Sequence, residues 1–323
     1  MKKTTKLQEL FHSGRVFVIA GGGCALHARI AEEAGFECAY MSGAMTSATI
    51  LGIPDAGLIT ATEMVENAGR MANAVSIPLI SDSDQGFGNA INVRRTVQSF
   101  IRAGVAGIHI EDQPFPKRCG FVKGKEVISI EEAVGKYRAA VDAKNELDPD
   151  FVIIARCDAR GASGGSLEET IARLNAYKAA GVDVLYAEAL TDRSEVRAVR
   201  QAIEGPMMGT LGFLDPAPTL QELQDLGYAG AFYPGLISAA GNRAAWEYAH
   251  DFARRHVAAD EDWKKREWKY PMPHMFDIVG FPKVAEWEEK YLPAEWLAKY
   301  EDSIGGYDPR AATPRVPAMT APR

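Results

Sequence analysis

The chain has 323 residues, of which 47% are hydrophobic and 24% are charged, which suffices for one large domain or two ordinary domains with a substantial core. Its 36 basic and 43 acidic side chains give a net charge of −7, and neither sign forms a block along the sequence. We therefore expect neither a nucleic-acid partner nor a membrane partner.

The four cysteines, Cys24, Cys38, Cys119 and Cys157, are scattered and form no CxxC pair. This usage is typical of a reducing compartment rather than of a disulfide framework. The N-terminal stretch MKKTTKLQELFHSGR is amphipathic but lacks the apolar core of a signal peptide, and no apolar run approaches the roughly 20 residues of a membrane span. These features predict a soluble, cytoplasmic protein.

A repeated unit runs along the first three quarters of the chain. Four segments share one pattern, in which a helix ends at Gly35, Gly104, Gly181 or Gly227 and a β-rich run begins two or three residues later. Glycine suits such a position because the residue that follows a helix commonly adopts positive φ, which costs glycine nothing. The segments therefore predict αβ joints of one βα-repeat architecture.

Eight strand candidates emerge when the remaining apolar runs are added. Their residues are apolar at successive positions, as expected for strands buried on both faces. Eight such strands predict a closed (β/α)₈ barrel, with residues 1–245 as the catalytic domain. An open doubly wound sheet is the rival, but AGGGCALHA after the first strand lacks GxGxxG spacing. The candidates lie near residues 15–20, 38–42, 78–84, 107–112, 151–157, 184–189, 206–211 and 229–234.

The sequence changes character beyond the barrel, and residues 246–304 predict a helical extension. AAWEYAHDFARRHVAADEDWKKREWKY predicts one long amphipathic helix, and FPKVAEWEEKYLPAEWLAKYEDS one or two more. All five tryptophans lie here, and so much aromatic surface favours a neighbouring subunit as its cover. Residues 305–323, rich in proline, glycine and alanine, predict an irregular or disordered tail.

Polar residues collect where the strand candidates end, which is where barrels of this kind place their reactive groups. Converging carboxylates repel one another unless a cation or arginines neutralise them, and oxygen ligands favour Mg²⁺ or Mn²⁺. The alternative is that these acids cap helices or pair with Arg94, Arg95 and Arg156. The strand ends in question are Asp82-Ser83-Asp84, Glu111-Asp112, Arg156-Cys157-Asp158 and Glu188.

The loop EDQPFPKRCGFVKGKEV, which follows the fourth strand candidate, is long for a βα connection and resembles a mobile lid. It carries two prolines, two glycines and four basic residues. The charges of Lys117 and Arg118 favour the thiolate of the adjacent Cys119, which suits a proton donor or acceptor. The alternative is an inert cysteine, as most lone cysteines are.

Several motifs in one order resemble the isocitrate lyase and phosphoenolpyruvate mutase superfamily, in particular its methylisocitrate lyase-like and dimethylmalate lyase-like branch. The resemblance covers roughly residues 10–245. It implies a (β/α)₈ barrel, Mg²⁺, a small 2-hydroxy or 2-keto carboxylate substrate, and a homotetramer (a dimer of dimers) whose subunits exchange a C-terminal helix. The motifs are YMSGA, LGIPDAG, SDSDQGFGNAINV, EDQPFPKRCG, ARCDAR and AEAL.

The resemblance also implies site residues by position. The metal shell would be Asp55, Asp82, Asp84 and Glu111. The substrate carboxylate or oxyanion would be held by Ser42, Gly43 and Ala44, with Arg156 as a second anchor. Tyr40 and Glu188 match site positions, and Thr210 lies at another. The lid would bring the proton donor Cys119 together with substrate contacts from Lys117, Arg118, Gly120 and Phe121.

Four positions depart from the family pattern. Phe121 stands where lyases usually have histidine, Thr210 where asparagine is expected, Cys24 where aspartate is common and Gln85 where threonine is common. Phe121 cannot donate a hydrogen bond, and Thr210 offers one hydroxyl in place of an amide. Together with Phe213, Phe121 indicates a substrate whose far side is larger or more apolar than a simple carboxylate.

We therefore predict a Mg²⁺-dependent carbon–carbon lyase that cleaves a substituted malate or a methylisocitrate-like acid to a 2-oxo acid, pyruvate or glyoxylate, and a second carboxylate. Tyr40 or an acid of the metal shell would take the hydroxyl proton, and Cys119 would protonate the carbanion. The alternatives are an oxaloacetate decarboxylase or hydrolase, a phosphonopyruvate-type enzyme and a catalytically inactive binding barrel.

Overall fold

The computed structural model describes residues 1–210, 214–301 and 303–311. Some predicted features lie outside these ranges. They are Phe213, Leu211 at the end of the expected strand 206–211, and most of the predicted tail. The chain divides into two compact units, one comprising Met1–Glu32 and Phe36–Gly241 and the other Glu33–Gly35 and the chain from Asn242 onward. The predicted boundary after residue 245 lies a few residues beyond this division.

The first unit contains the predicted barrel. Eight parallel strands pair in sequence order, and the eighth pairs with the first to close the sheet. The expected (β/α)₈ fold is therefore confirmed. The strands are β1 (Phe17–Gly22), β2 (Cys38–Met41), β3 (Leu79–Asp82), β4 (Gly107–Glu111), β5 (Val152–Cys157), β6 (Val184–Ala187), β7 (Met207–Thr210) and β8 (Gly230–Tyr233).

Helices enclose the barrel. The four glycines predicted to end helices have positive φ angles of 86°, 87°, 95° and 81° in chain order, so the αβ joints are also confirmed. A π-helical turn (Ser47–Leu51) continues α3, and a 3₁₀ turn (Ala159–Gly161) follows β5. The helices are α1 (Lys3–Phe11), α2 (Ala25–Glu33), α3 (Gly43–Thr46), α4 (Ala61–Ala74), α5 (Ala90–Arg102), α6 (Ile130–Leu147), α7 (Leu167–Ala179), α8 (Arg193–Ala202) and α9 (Leu220–Leu226).

Alternation along each strand separates the barrel interior from the layer beneath the helices, because successive side chains point to opposite faces. The inward apolar side chains form a core of their own, to which α1 contributes Leu7 and Phe11. The ring of Phe11 packs edge-on against Phe17 at a centroid distance of 5.0 Å. Helix α1 thus closes the end of the barrel where the strands begin, which leaves the other end for polar groups.

The second unit is helical, but the expected single long helix is wrong. Helix α10 (Leu236–Arg255) ends at His256, whose φ of 50° lies outside the right-handed helical region, and α11 (Val257–Lys265) follows. The break lets Tyr248 donate a hydrogen bond to Asp260 (2.9 Å) and pack against Trp263, with the rings tilted by 45° and their centroids 4.8 Å apart. In one straight helix, residues 248 and 263 would lie about 22 Å apart.

Further helices follow in the second unit: α12 (Met275–Val279), α13 (Phe281–Tyr291) and α14 (Ala294–Leu297), with a 3₁₀ turn at Ala298–Tyr300. The one or two helices expected from FPKVAEWEEKYLPAEWLAKYEDS correspond to α13 and α14, whereas α12 was not predicted. Residues 305–311 of the predicted tail have no regular secondary structure. Among the described residues, no helix combines the length and the apolar character needed to cross a membrane.

Candidate active site

The carboxylate of Asp82, at the end of β3, lies at the open end of the barrel and has three polar partners. Its Oδ2 accepts a hydrogen bond from the Gly43 backbone N–H (3.1 Å), and its Oδ1 accepts one from the Asp84 N–H (2.9 Å). The Nε2 of His109, on the neighbouring strand β4, lies 2.9 Å from the same Oδ1. Three elements therefore hold this carboxylate in one orientation.

Gly43 is required at the start of α3 because of this contact. A Cβ atom on residue 43 would lie 2.5 Å from Asp82 Oδ2, closer than real Cβ contacts. Ser42 caps α3 by accepting a hydrogen bond from the Met45 N–H (3.3 Å), and Ala44 lies in the same turn. The segment predicted to bind the substrate, Ser42 to Ala44, thus lies beside Asp82. The Gly43 N–H, however, already donates its hydrogen bond to the Asp82 carboxylate.

Lys117 lies in a place that the sequence did not suggest. Its side chain is only 1% exposed, and its Nζ is 2.6 Å from Asp55 Oδ1 and 3.0 Å from Asp84 Oδ1. The lid lysine expected to contact substrate therefore lies between two of the predicted metal ligands. Asp84 reaches it from a backbone with φ of 46°, a conformation that aspartate tolerates better than most residues.

Arg156, on β5, forms the second charged cluster. It pairs with both oxygens of Asp158 through Nε and Nη2, at 2.9 and 3.0 Å, and its Nη1 lies 3.1 Å from Glu111 Oε2. The buried Lys125, at the far end of the lid, lies 3.3 Å from Asp158 and donates to the Gly120 carbonyl at 2.7 Å. Lys125 therefore joins the lid backbone to the acid that orients Arg156.

The lid lies directly against this cluster at Gly120. A Cβ atom on residue 120 would lie 2.6 Å from Arg156 Nη2 and 2.7 Å from Glu188 Oε1, so only glycine permits the approach. Tyr186 donates a hydrogen bond to Glu188 Oε2 and lies 3.3 Å from the Thr210 hydroxyl. The Tyr186 hydroxyl thus contacts both Glu188 and Thr210. The other carboxylate oxygen of Glu188, Oε1, accepts no hydrogen bond within the described residues.

Burial dominates the protonation of these acids, because it disfavours the charged form. It raises the pKa of Asp84 to about 7 and that of Glu188 to about 6, in spite of the nearby cations. Burial likewise raises the pKa of Glu111 well above its usual value. Asp82 is the exception: burial opposes ionisation, but the neighbouring His109, Lys117 and Arg156 hold its pKa below the usual range.

Cys119 is partly buried in the lid, and its backbone N–H donates to the Asp55 carbonyl (3.2 Å). Burial raises the pKa of its thiol, although a backbone hydrogen bond at Phe121 opposes the shift. The charge of Lys117 does favour the thiolate, as its place beside Cys119 predicts, but burial outweighs this effect and the pKa of the thiol is raised overall. A protonated thiol at neutral pH is compatible with a proton donor and not with a thiolate base.

Tyr40 lies deeper in the barrel than the acids. Its hydroxyl is 2.9 Å from His109 Nε2, and its ring packs edge-on against Phe232 at 4.4 Å. Burial raises the pKa of this phenol well above its usual value, which keeps it protonated at neutral pH. The structure therefore favours Tyr40 as a hydrogen-bonding support of His109 over Tyr40 as a general base.

The remaining lid residues are more exposed. The side chain of Gln113 holds the backbone N–H and carbonyl of Arg118 at 2.9 Å each, while Arg118 itself is exposed. Phe121, which replaces the usual histidine, is 54% exposed. The structure thus brings Cys119 and Gly120 towards the acids, and leaves Arg118 and Phe121 at the surface.

The donor set suits a hard divalent ion. Within the described part of the chain, no three acidic, histidine or cysteine side chains converge closely enough to hold a metal by themselves. Mg²⁺ does not require this, since it keeps several waters and takes one or two carboxylates directly. Neither oxygen of Glu111 accepts a hydrogen bond from the described residues, although Arg156 lies nearby. Glu111 and the aspartates are therefore chemically fit to hold Mg²⁺.

Sequence reasoning missed three residues of this site, His109, Lys125 and Tyr186, and named Asp158 only as one of the acids at the strand ends. Strand periodicity could have found His109, because it precedes Glu111 by two residues and so shares its face. The same spacing relates Asp158 to Arg156 and Tyr186 to Glu188. No sequence signal would have shown that the two ends of the lid return to different carboxylates.

A closed eight-stranded barrel with buried acids, two arginine- or lysine-centred clusters and a lid at the carboxyl ends of its strands defines an enzyme of the (β/α)₈ class. The sequence model of the phosphoenolpyruvate phosphomutase family matches residues 7–252, and the chain belongs to this family. The predicted membership of the phosphoenolpyruvate mutase/isocitrate lyase superfamily is thereby confirmed.

Two relatives are lyases by name. The chain is 41% identical over 236 residues to 2,3-dimethylmalate lyase of Eubacterium barkeri, with 72% of this chain and 80% of the relative covered. It is 42% identical over 240 residues to 2-methylisocitrate lyase of Escherichia coli (strain K12), with 73% and 79% covered. The predicted enzyme class, a carbon–carbon lyase, is confirmed by these relatives.

Solved structures extend the similarity to nearly the whole chain. A 2,3-dimethylmalate lyase superposes with a TM-score of 0.82 at 31% identity, covering 94% of this chain and 99% of its own. Oxaloacetate acetylhydrolase with 3,3-difluorooxalacetate gives 0.80 at 33%, covering 90% and 97%. Phosphonopyruvate hydrolase with oxalate and Mg²⁺ gives 0.78 at 31%, covering 91% and 100%. The fold is thus shared by enzymes of several activities.

Proposed function

We propose that the protein is a Mg²⁺-dependent lyase that cleaves a carbon–carbon bond of a 2-hydroxy acid related to substituted malate or to methylisocitrate. The products would be a 2-oxo acid, pyruvate or glyoxylate, and a second carboxylate. The observation that carries the proposal is the approach of the lid at Gly120 to Arg156 and Glu188, because it places the protonated Cys119 at the edge of the acid site.

Arg156 would anchor the carboxylate of the half that becomes the 2-oxo acid. Its guanidinium is buried and held by Asp158, so it is oriented before the substrate arrives. Mg²⁺, bound by Asp82, Asp84, Glu111 or Asp55 directly or through water, would supply a Lewis acid for the substrate oxygens. Lid closure would exclude water from the site.

Glu188 is the best candidate for the base. Its Oε1 accepts no hydrogen bond within the described residues, and its pKa of about 6 leaves it largely ionised at pH 7 and above. It would take the proton of the substrate hydroxyl as the carbon that bears this hydroxyl becomes a carbonyl. The bond between the two halves breaks, and its electron pair passes to the carbon of the departing half.

Cys119 would then donate its thiol proton to that carbon. The thiol is protonated at neutral pH because burial raises its pKa, so the proton is available when the carbanion forms. Proton exchange with solvent after lid opening would return the thiolate and the protonated Glu188 to their starting states.

The test is a panel of 2-hydroxy and 2-keto di- and tricarboxylates that includes 2,3-dimethylmalate and 2-methylisocitrate. We expect release of pyruvate or glyoxylate from at least one 2-hydroxy acid with Mg²⁺ and none with a chelator. Absence of any 2-oxo acid across the panel would contradict the proposal.

Hydrolysis or decarboxylation of oxaloacetate is the second candidate. Two observations favour it: Phe121 removes a polar lid group that lyases usually have, and oxaloacetate acetylhydrolase shares the fold at a TM-score of 0.80. This reaction would depend less on a proton from the lid. Rapid Mg²⁺-dependent turnover of oxaloacetate that Cys119→Ser leaves unchanged would therefore favour it over the lyase.

We also propose that the protein is a homotetramer. The exposed aromatic side chains of the second unit support this assembly, since contiguous apolar surface usually has a partner. Trp246, Trp287 and Trp296 are 63%, 50% and 59% exposed in the single chain. Light scattering coupled to size-exclusion chromatography would give the mass, and a monomer at micromolar concentration would contradict the proposal.

A further inference from the structure

Asp112 is a buried carboxylate outside the barrel interior. It follows Glu111, which pairs with Arg156 inside the barrel, and successive side chains of an extended chain point to opposite faces. The Asp112 side chain accordingly contacts α7: its Oδ2 accepts a hydrogen bond from the Tyr177 hydroxyl at 2.6 Å and lies 3.4 Å from Arg173 Nη1. Asp112 is only 1% exposed, so solvent does not replace a lost partner.

Asp112 is also bonded to the chain segment that carries the proposed anchor. Its Oδ1 accepts a hydrogen bond from the Asp158 backbone N–H at 2.8 Å, and its own N–H donates to the Arg156 carbonyl at 3.2 Å. Asp158 in turn holds the Arg156 guanidinium with both carboxylate oxygens. A shift of Asp112 would therefore shift this guanidinium as well.

Tyr177 fixes the orientation of the Asp112 carboxylate. The two oxygens of a carboxylate turn together about one bond, so the hydrogen bond from Tyr177 to Oδ2 also fixes Oδ1, which holds Asp158. Arg173 supports this arrangement, because its Nη1 donates to the Tyr177 hydroxyl at 3.2 Å. A line of buried polar contacts thus runs from α7, through the barrel wall, to Arg156.

We propose that Asp112 is a positioning residue for Arg156 and that Tyr177 acts through Asp112 from outside the barrel. The proposal rests on the proposed function, in which Arg156 anchors the substrate carboxylate. Asp112 and Tyr177 together fix Asp158, whose carboxylate orients the guanidinium. An anchor that is oriented in advance binds a carboxylate more tightly than a mobile one, because less conformational freedom is lost on binding. The consequence is an effect on carboxylate affinity that leaves metal affinity unchanged.

Oxalate binding to the Mg²⁺-loaded protein tests the proposal without any turnover assay. Oxalate stands in for a 2-oxo acid, since both have a carboxylate next to a second carbonyl group. Isothermal titration calorimetry measures the oxalate affinity, and the electron paramagnetic resonance signal of free Mn²⁺ measures the metal affinity separately. The variants are Tyr177→Phe and Asp112→Asn. The control is Tyr228→Phe, which removes a buried hydroxyl that donates to the Val196 carbonyl instead.

The two variants should weaken oxalate binding to different extents. An amide has one acceptor oxygen, so in Asp112→Asn its NH2 group faces either the Asp158 N–H or the donors of α7. We expect Asp112→Asn to weaken oxalate binding by roughly 10–100-fold and Tyr177→Phe by about fivefold, since Tyr177 is one contact further from the anchor. Tyr228→Phe should change it by less than about twofold, and all three variants should keep their Mn²⁺ affinity within about threefold.

Arg156→Lys shows whether the effect passes through the anchor. Lysine keeps the positive charge but lacks the planar fork that pairs with both oxygens of Asp158. In this background Tyr177→Phe should weaken oxalate binding by less than about twofold, whereas a purely structural role of Tyr177 would give the same loss of about fivefold as in the wild type.

Equal oxalate affinities of Tyr177→Phe, Asp112→Asn and Tyr228→Phe would overturn the positioning role, and so would a Tyr177→Phe effect of undiminished size in Arg156→Lys. A loss of Mn²⁺ affinity that accounts for the weaker oxalate binding would also overturn it, since the effect would then pass through Glu111. In each of these cases oxalate binding by the wild type would leave the proposed function standing. No oxalate binding by the wild type with Mg²⁺ would instead contradict the proposed function itself. If one of the two variants fails to fold, the other still decides.

Discussion

The two ends of the barrel interior are built from the same eight strands but hold opposite kinds of side chain. The closed end contains apolar residues such as Phe17, Val152 and Val184, all buried. The open end contains charged residues of equal burial, among them Arg156 and Glu111. On β3, β5 and β6 the inward side chains thus change from apolar to charged within two to four residues.

This difference between the two ends indicates which of them stabilises the fold and which carries the chemistry. Burial of each large apolar side chain at the closed end stabilises the fold by about 1.5–3 kcal/mol. Buried ion pairs at the open end contribute little net stability, but the removal of one partner leaves an uncompensated charge. The closed end should therefore affect only the fold, whereas the open end should affect fold, metal binding and turnover together.

The largest expected effect follows from Arg156→Met, which deprives Glu111 of its paired cation and leaves Asp158 with Lys125 alone. We expect the free energy of unfolding in chelator to fall by about 3–5 kcal/mol, and turnover to be lost. Urea unfolding followed by circular dichroism measures the first quantity. Phe17→Ala is the matched change at the closed end, with a similar loss of about 3–5 kcal/mol but unchanged Mn²⁺ affinity in the folded protein. A Phe17→Ala variant with impaired metal binding would break the comparison.

Cys119→Ser separates chemistry from stability. We expect turnover to fall by about 10²–10⁴-fold, because the serine hydroxyl is a much weaker acid than the thiol, while the urea midpoint stays within error. Steady-state release of the 2-oxo acid measures the effect. Cys24→Ser, at a cysteine outside the lid, controls for the loss of any thiol, and full activity of Cys119→Ser would remove this residue from the mechanism.

Asp84→Asn tests the electrostatics of the open end through pH. The folded protein keeps the Asp84 proton until about pH 7, whereas the ordinary pKa is 3.8. Between these values the unfolded chain binds fewer protons than the folded one, so the free energy of unfolding of the metal-free protein should fall as pH rises from about 4 to 7. Asparagine also tolerates the positive φ at this position.

Urea unfolding in chelator at pH 5 and pH 7 measures the slope, and we expect a smaller fall for Asp84→Asn than for wild type. The control is Asp192→Asn. A hydrogen bond from Ser194 lowers the pKa of that exposed carboxyl, so its contribution to the pH dependence of the free energy of unfolding has the opposite sign. Parallel slopes for Asp84→Asn and wild type would contradict the assignment.

Phe121→His should have the smallest effect. It restores the residue that lyases usually carry at an exposed lid position, and we expect the ratio of kcat/KM between two substrates of the panel to change by less than about tenfold. Phe115→His, at another exposed phenylalanine of the lid, should leave the ratio unchanged. Equal effects of the two substitutions would show that position 121 has no special part in substrate choice.

Local chemistry made much of the fold predictable. Gly104 and Gly181 end helices with a positive φ, which glycine adopts without strain, so these helix ends could be predicted from the residue type. Eight apolar runs separated by such helices are most simply arranged as a closed barrel. The break at His256 was not predictable, because the helical pattern continues across it. Its cause is tertiary: Tyr248 and Asp260 meet only when the chain folds back.

The site was predictable only in part for a similar reason. Asp82 and Glu111 could be found because each ends a buried strand and the ends of parallel strands converge. The environment of Lys117 depends on which carboxylates the lid reaches, and the protonation of Cys119 depends mainly on how deeply the folded chain buries it. Both are long-range properties. The basic neighbours of Cys119 in sequence therefore gave the wrong direction for its pKa.

The most direct test of the proposed lyase chemistry is product analysis in deuterated water with the best 2-hydroxy acid of the panel and Mg²⁺. We expect one 2-oxo acid and one second carboxylate for each substrate consumed, with one deuterium at the carbon that was attached to the hydroxyl-bearing carbon. A product mixture without a 2-oxo acid, or a second carboxylate without deuterium at that carbon, would contradict it.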